Sequence, residues 1–102
     1  MKIAIKNSAL KTLENIENSD KNAFSKIYSF LNNLEKISNP FTLPNAKKLS
    51  GYKDRWRWRI DKYRIIGIKS KNEQNQDVVI IIIEIDKRSK VYKNLENKRI
   101  KF

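Results

Sequence analysis

Residues 55–60 read RWRWRI, three arginines alternating with two tryptophans and an isoleucine. In a β-strand, alternate side chains point to opposite faces. Arg55, Arg57 and Arg59 therefore share one face, and Trp56, Trp58 and Ile60 share the other. A row of guanidiniums suits phosphate, because each keeps its proton and offers a planar fork of N–H donors. Like charges side by side on a sheet repel, so the expected partner of that face is a polyanion that neutralises them. Arg64, in KYRII, extends the basic face onto the next strand. The tryptophans are expected in the core, since a small domain needs the burial that two exposed aromatics would forfeit.

The rest of the inventory narrows the chemistry. Histidine and cysteine are absent, so the usual Cys-rich zinc frameworks are excluded. The carboxylates are scattered, which gives a two-metal nuclease little support; no metal or other cofactor is implied. Metal-independent cleavage of RNA fits what is present. The 2′-OH attacks the adjacent phosphorus and leaves a 2′,3′-cyclic phosphate and a 5′-OH. Arginines orient the phosphate and stabilise its developing charge, while a tyrosine or lysine handles a proton. A second constellation, Asp86-Lys87-Arg88-Ser89-Lys90-Val91-Tyr92, holds Arg88 and Tyr92 four apart. Unperturbed Tyr and Lys titrate near about 10, so neighbouring cations must lower that value before either serves as a base.

The charge distribution supports a polyanionic partner. The net charge is +12, from 23 basic and 11 acidic residues. Residues 45–71 carry ten basic and two acidic side chains, and 87–102 carry seven and one. Between them, residues 72–86 hold four acids and no base. Such a field attracts nucleic-acid phosphates and speeds encounter.

Several elements must position these groups. The alternation in residues 2–6, KIAIK, predicts a short strand. Ser8 is the expected cap of a helix over 9–18, with Leu10, Leu13 and Ile16 on one face. Asp20 and its neighbours offer a second cap. Phe24, Ile27, Leu31 and Leu34 then make the stripe of a helix reaching about residue 37. Pro40 and Pro44 open a loop anchored by Phe41, Leu43 and Leu49, with Gly51 at a turn. Strands are expected over 54–60, 62–69 and 78–86. VVIIIIEI, 78–85, lacks alternation and reads as a central strand buried on both faces. It is far too short to span a membrane, and KIAIKNSALK after Met1 is no signal peptide; a cytoplasmic protein without membrane contact is expected. The fold class is α/β of the α+β type, one domain over 1–102. An N-terminal strand and an αα-hairpin pack on a mixed, mainly antiparallel four-stranded sheet, followed by a basic C-terminal tail.

Four stretches, PNAKKLSG at 44–51, RWRI at 57–60, YRII at 63–66 and KRSKVY at 87–92, together resemble the RelE/ParE superfamily of bacterial toxins. The likeness is greatest to RelE-type messenger RNA interferases, and it extends over nearly the whole chain. The resemblance implies the toxin of a type II toxin–antitoxin system that cleaves messenger RNA in the ribosomal A site and inhibits translation. It implies a cognate antitoxin as partner, and operator DNA bound only through the antitoxin complex. Carried onto this chain, it assigns Arg57, Arg59, Arg64 and Arg88 to phosphate positioning and charge stabilisation, and Tyr92 to stacking or proton chemistry. Lys47 and Lys48 fall at basic positions that touch RNA, and Arg55, Lys87 and Lys90 add to the RNA-binding surface. Arginine stands at 57 and 59 where lysine serves in the family, and Asp86 stands where arginine or glycine is common; no residue is assigned as general base. Two other roles fit the same fold: a ParE-like inhibitor of DNA gyrase, and a degenerate toxin that only binds antitoxin or aids repression.

Overall fold

Apolar residues at helical spacing in the first third and at strand spacing later sort the chain into two layers. A computed structural model of the chain describes residues 2–87. The order is β1 (Lys2–Ile5), α1 (Asn7–Ser19), α2 (Lys21–Leu34), a single 3₁₀ turn (Pro40–Thr42), β2 (Ala46–Lys48), β3 (Arg55–Ile60), β4 (Tyr63–Lys71) and β5 (Asp77–Lys87). The strands form one sheet in the order β1-β5-β4-β3-β2. β1 runs parallel to β5, and every other pair is antiparallel. The mixed sheet and αα-hairpin are as expected, but the described residues form five strands rather than four.

The added strand is β2, in a segment expected to be loop. Ala-Lys-Lys has little intrinsic strand preference. It is extended because β3 offers a free edge, with Ala46, Lys47 and Lys48 opposite Trp58, Arg57 and Trp56. Asn45 secures the junction: its backbone carbonyl accepts from the Arg59 N–H (3.2 Å) and its side-chain amide donates to the Arg59 carbonyl (3.0 Å).

The helices cover one face of the sheet. Ala9, Leu13 and Ile16 of α1 and Ala23, Ile27, Leu31 and Leu34 of α2 pack with Trp58, Tyr63, Ile65, Ile80, Ile82 and Ile85. Two details of α1 differ from expectation. Leu10 is 40% exposed and Ala9 takes its place in the stripe, a rotation by one position that puts the smaller side chain against the sheet. Ser8 is no cap: the chain passes from β1 into the helix through an extended Lys6 (φ −63°, ψ 144°), and no side chain caps this end. Asp20 does cap α2, its Oδ1 accepting from the Ala23 N–H at 3.1 Å. That helix ends at Leu34, short of the expected 37.

β5 is interior to the sheet, yet it is not buried on both faces. Ile80, Ile82 and Ile85 are buried, Ile81 is 36% exposed, and Ile83 and Glu84 are half-buried. The described helices pack on one face, so the apolar run supplies a core face and a second face on which Ile81 is partly exposed. The pairing also slips: Ile66 lies opposite Glu84 but Gly67 opposite Ile82, which leaves Ile83 as a bulge.

Trp58 is wholly buried, and its indole N–H donates to the Pro40 carbonyl at 3.0 Å. Phe41 stacks at a tilt on Trp56 with centroids 4.9 Å apart. The loop anchors thus close over the tryptophan face, as their apolar character implied. Gly67 makes room for the indole: a Cβ there would lie 2.9 Å from Ile80 Cγ2 and 3.0 Å from Trp58 Cζ3.

Two predictions follow from these contacts. Gly67→Ala forces buried neighbours apart and should destabilise the protein by about 1–3 kcal/mol in chemical denaturation. The second concerns pH. The Ala23 N–H and then the Lys62 ammonium, 3.1 Å away, hold Asp20 below its ordinary 3.8. A lowered carboxylate stabilises the fold above its unfolded value, and that stabilisation is lost as pH falls through the folded one. Asp20→Asn keeps the cap and removes the charge, so its melting temperature should sit a few degrees below wild type at neutral pH. The gap should close as pH drops below 3.8; a constant gap would refute the assignment.

Candidate nucleic-acid interface

With Trp58 fixed in the core, strand alternation sends the arginines to the face opposite α1 and α2. Register shows which residues join them. One row crosses four strands: Lys47 of β2 lies opposite Arg57 of β3, Arg57 opposite Ile66 of β4, and Ile66 opposite Glu84 of β5. A second row takes Arg59, Arg64 and Asp86, and a third takes Arg55, Ile68, Ile81 and Ala4.

Lys47, Arg55, Arg57, Arg59 and Arg64 are therefore brought together on one face. They differ in depth. Arg59 is exposed, Arg55 and Arg57 are half-buried, and Arg64 is only 4% exposed. Arg57 Nη1 donates to the Asn45 carbonyl at 3.2 Å, so the loop before β2 orients this guanidinium. Arg55 stacks over Tyr52, its Cζ 4.5 Å from the ring centroid. Arg64 places a guanidinium beneath the surface, and Arg59 stands opposite it on the neighbouring strand at the surface.

Lys48 and Lys87 lie elsewhere. Each is exposed, but Lys48 pairs with Trp56 and Lys87 with Tyr63, on the helix-bearing side. Lys87 there adds to the positive field around Asp20. Arg88, Lys90 and Tyr92 fall outside the described residues.

A cleft of about 390 Å³ opens beside the arginine rows. β1 stops level with Ile82, and past that point the first turns of α1 flank β5. Lys6, Ser8 and Thr12 line the cleft from the start of α1, Tyr52 and Arg55 from the segment entering β3, and Ile66 of β4 with Ile83 and Glu84 of β5 complete the lining. Sequence reasoning missed this feature. The available signal was a single glutamate inside an otherwise apolar run, at a position that the bulge turns toward the cleft. Among the described residues, no group of three or more His, Cys, Asp or Glu is arranged to hold a metal ion. No described helix is long and apolar enough to cross a membrane.

Chemically, the arginine rows can hold consecutive phosphates of a single strand. Each phosphate contact contributes about 0.7 to the slope of log affinity against log salt for single strands. Arg59→Gln, at an exposed position, should lower that slope by about this amount on single-stranded RNA. Lys48→Gln, on the other side, should leave it unchanged. Equal losses for both would mean that charge alone, and not this face, attracts the ligand.

No protein-family model and no curated protein matches the chain. Solved structures do. A YoeB/ParE toxin from Agrobacterium tumefaciens superposes with a TM-score of 0.68 at 19% identity, over 86% of this chain and 99% of that one. A chain of the RelB–RelE antitoxin–toxin complex from Methanococcus jannaschii gives 0.67 at 18%, over 89% and 96%. A chain of the archaeal RelE–RelB complex from Pyrococcus horikoshii OT3 gives 0.62 at 26%, over 85% and 93%.

Proposed function

We propose that this chain, whose fold is that of the RelE/ParE superfamily, is the toxin of a type II toxin–antitoxin system and cleaves messenger RNA on the ribosome. The observation that carries the reading is the gathering of Lys47, Arg55, Arg57, Arg59 and Arg64 on the sheet face opposite the two described helices. A cognate antitoxin is the expected protein partner, since structures of this fold include RelB–RelE and YefM–YoeB complexes. Operator DNA is then contacted through the joint complex.

In the proposed reaction the 2′-oxygen of one nucleotide attacks the adjoining phosphorus, and the bond from phosphorus to the 5′-oxygen breaks. The 2′-OH gives up a proton and the departing 5′-oxygen takes one, so the products are a 2′,3′-cyclic phosphate and a 5′-OH. Arg57 and Arg59 would hold the phosphate, and Arg64 would offset from below the charge that builds on it. Held in place beforehand, such donors stabilise developing charge without reorganising. Arginine keeps its proton, so the proton acceptor must be another group; Tyr92 and Arg88 are proposed for proton transfer or stacking and for phosphate contact.

The test is to add the free protein to ribosomes programmed with a defined message and map the new ends. Cuts inside the A-site codon that leave 5′-OH ends are expected. Arg57→Ala should slow single-turnover cleavage by about a hundredfold or more, with an unchanged far-UV spectrum. Uncut message together with stalled gyrase supercoiling would replace this reading by gyrase inhibition. If neither target responds, the protein acts through antitoxin binding alone.

A further inference from the structure

The carboxylate of Glu84 is out of place on a surface built for phosphate. The chain carries +12, and Lys6 and Arg55 line the same cleft as Glu84. Yet the described ion pairs are Lys26–Asp61 and Lys62–Asp20, and Glu84 joins neither. A half-buried carboxylate beside a phosphate track weakens binding unless it meets a hydrogen-bond donor on the ligand. The row Lys47–Arg57–Ile66–Glu84 indicates which part of the ligand that is. Adjacent strands lie about 4.8 Å apart, which sets the Arg57 and Glu84 backbones about 10 Å from each other. A nucleotide whose phosphate lies at Arg57 can reach the carboxylate with the far edge of its base.

We propose that the cleft between the start of α1, the β5 bulge and the Tyr52 loop is a nucleobase pocket that selects guanine through Glu84. An ionised carboxylate only accepts hydrogen bonds, through two oxygens side by side. Guanine offers two neighbouring donors, N1–H and the 2-amino group. Adenine and cytosine each set one amino group beside a ring acceptor, and uracil sets one N–H between two carbonyls. Guanine alone among the four makes the bidentate pair without an opposed acceptor. Lys6 and Arg55 supply donors for its O6 and N7, the atoms that basic side chains contact most often. Tyr52 is 41% exposed and stacked with Arg55 at 4.5 Å, an aromatic and guanidinium platform on which a base can lie. Ile66 and Ile83 add apolar lining to the same cleft, against which a ring can pack.

This inference rests on the arginine face being an RNA surface, and free nucleotides test it apart from cleavage. GMP, IMP, AMP, CMP and UMP are titrated into the protein and followed by chemical-shift changes. GMP should bind about 5- to 150-fold more tightly than AMP, the range that one bidentate contact supplies. IMP, lacking the 2-amino group, should fall between. Glu84→Gln should abolish the preference for GMP, while Tyr52→Ala should weaken all five and leave their order unchanged. Binding of all five within twofold, or a preference that survives Glu84→Gln, overturns the proposal. Displacement of GMP by free arginine with no preference among bases also overturns it, and identifies the cleft as a socket for a basic side chain of a protein partner. Message cleavage without base preference refutes the pocket alone; base preference without cleavage upholds the pocket and refutes only the cutting step.

Discussion

The burial of Trp58 fixes most of what this sheet can do. The side chain is wholly inaccessible, flanked by Phe30 and Phe41, and its indole N–H is satisfied by the Pro40 carbonyl. Sliding β3 by one residue would invert the faces, sending guanidiniums into the core and tryptophans into water. Unpaired buried charge is far more expensive than lost apolar area, so the register is secure and the outward direction of Arg55, Arg57 and Arg59 follows from it. The same hydrogen bond fixes the 3₁₀ turn. From there the chain reaches Asn45, which holds both the Arg57 guanidinium and the backbone of Arg59. One buried ring thereby sets which face the arginines occupy and also supports the loop that aims them.

The open face carries a visible energetic burden. Arg59 and Arg64 lie directly opposite each other on β3 and β4, an arrangement that disfavours pairing. The chain separates the two charges by depth, with Arg64 beneath the surface and Arg59 on it. Proteins accept local conflict of this kind mainly where function requires it. The hairpin tip shows the contrast. There Lys26 meets Asp61 and Lys62 meets Asp20 on the helix-bearing side, in exposed pairs that relieve charge and add little stability.

Much of this plan was legible in the residues. Period-2 alternation in β3 separated tryptophans from arginines, period-3.6 stripes gave the hairpin, and Asp20 announced its cap. The features that could not be read are those decided by neighbours distant in sequence. Ala46–Lys48 becomes a strand only because β3 is there to pair with it. Lys48 and Lys87 are basic like Lys47, but register assigns them to the other side. Ala9 in place of Leu10 reflects how closely α1 approaches β5. The slip that leaves Ile83 bulged and brings Glu84 to the cleft depends on pairing with β4 across the Gly67 step, and a run of isoleucines does not encode it locally.

Strand order turns a pattern of charge along the chain into a gradient across the sheet. The strongly basic segment supplies β2, β3 and β4, and the acidic segment supplies β5, which inserts between β4 and β1. The open face therefore runs from positive at the β2 side, over the isoleucines of β4, to a carboxylate at β5. A polyanion held only by a uniform positive surface could lie in any direction. On the proposed RNA-binding reading, phosphates would be drawn to one side and the uncharged bases would fall toward the other, where the cleft opens. Net charge would then supply attraction, and the interleaving of β5 would supply orientation.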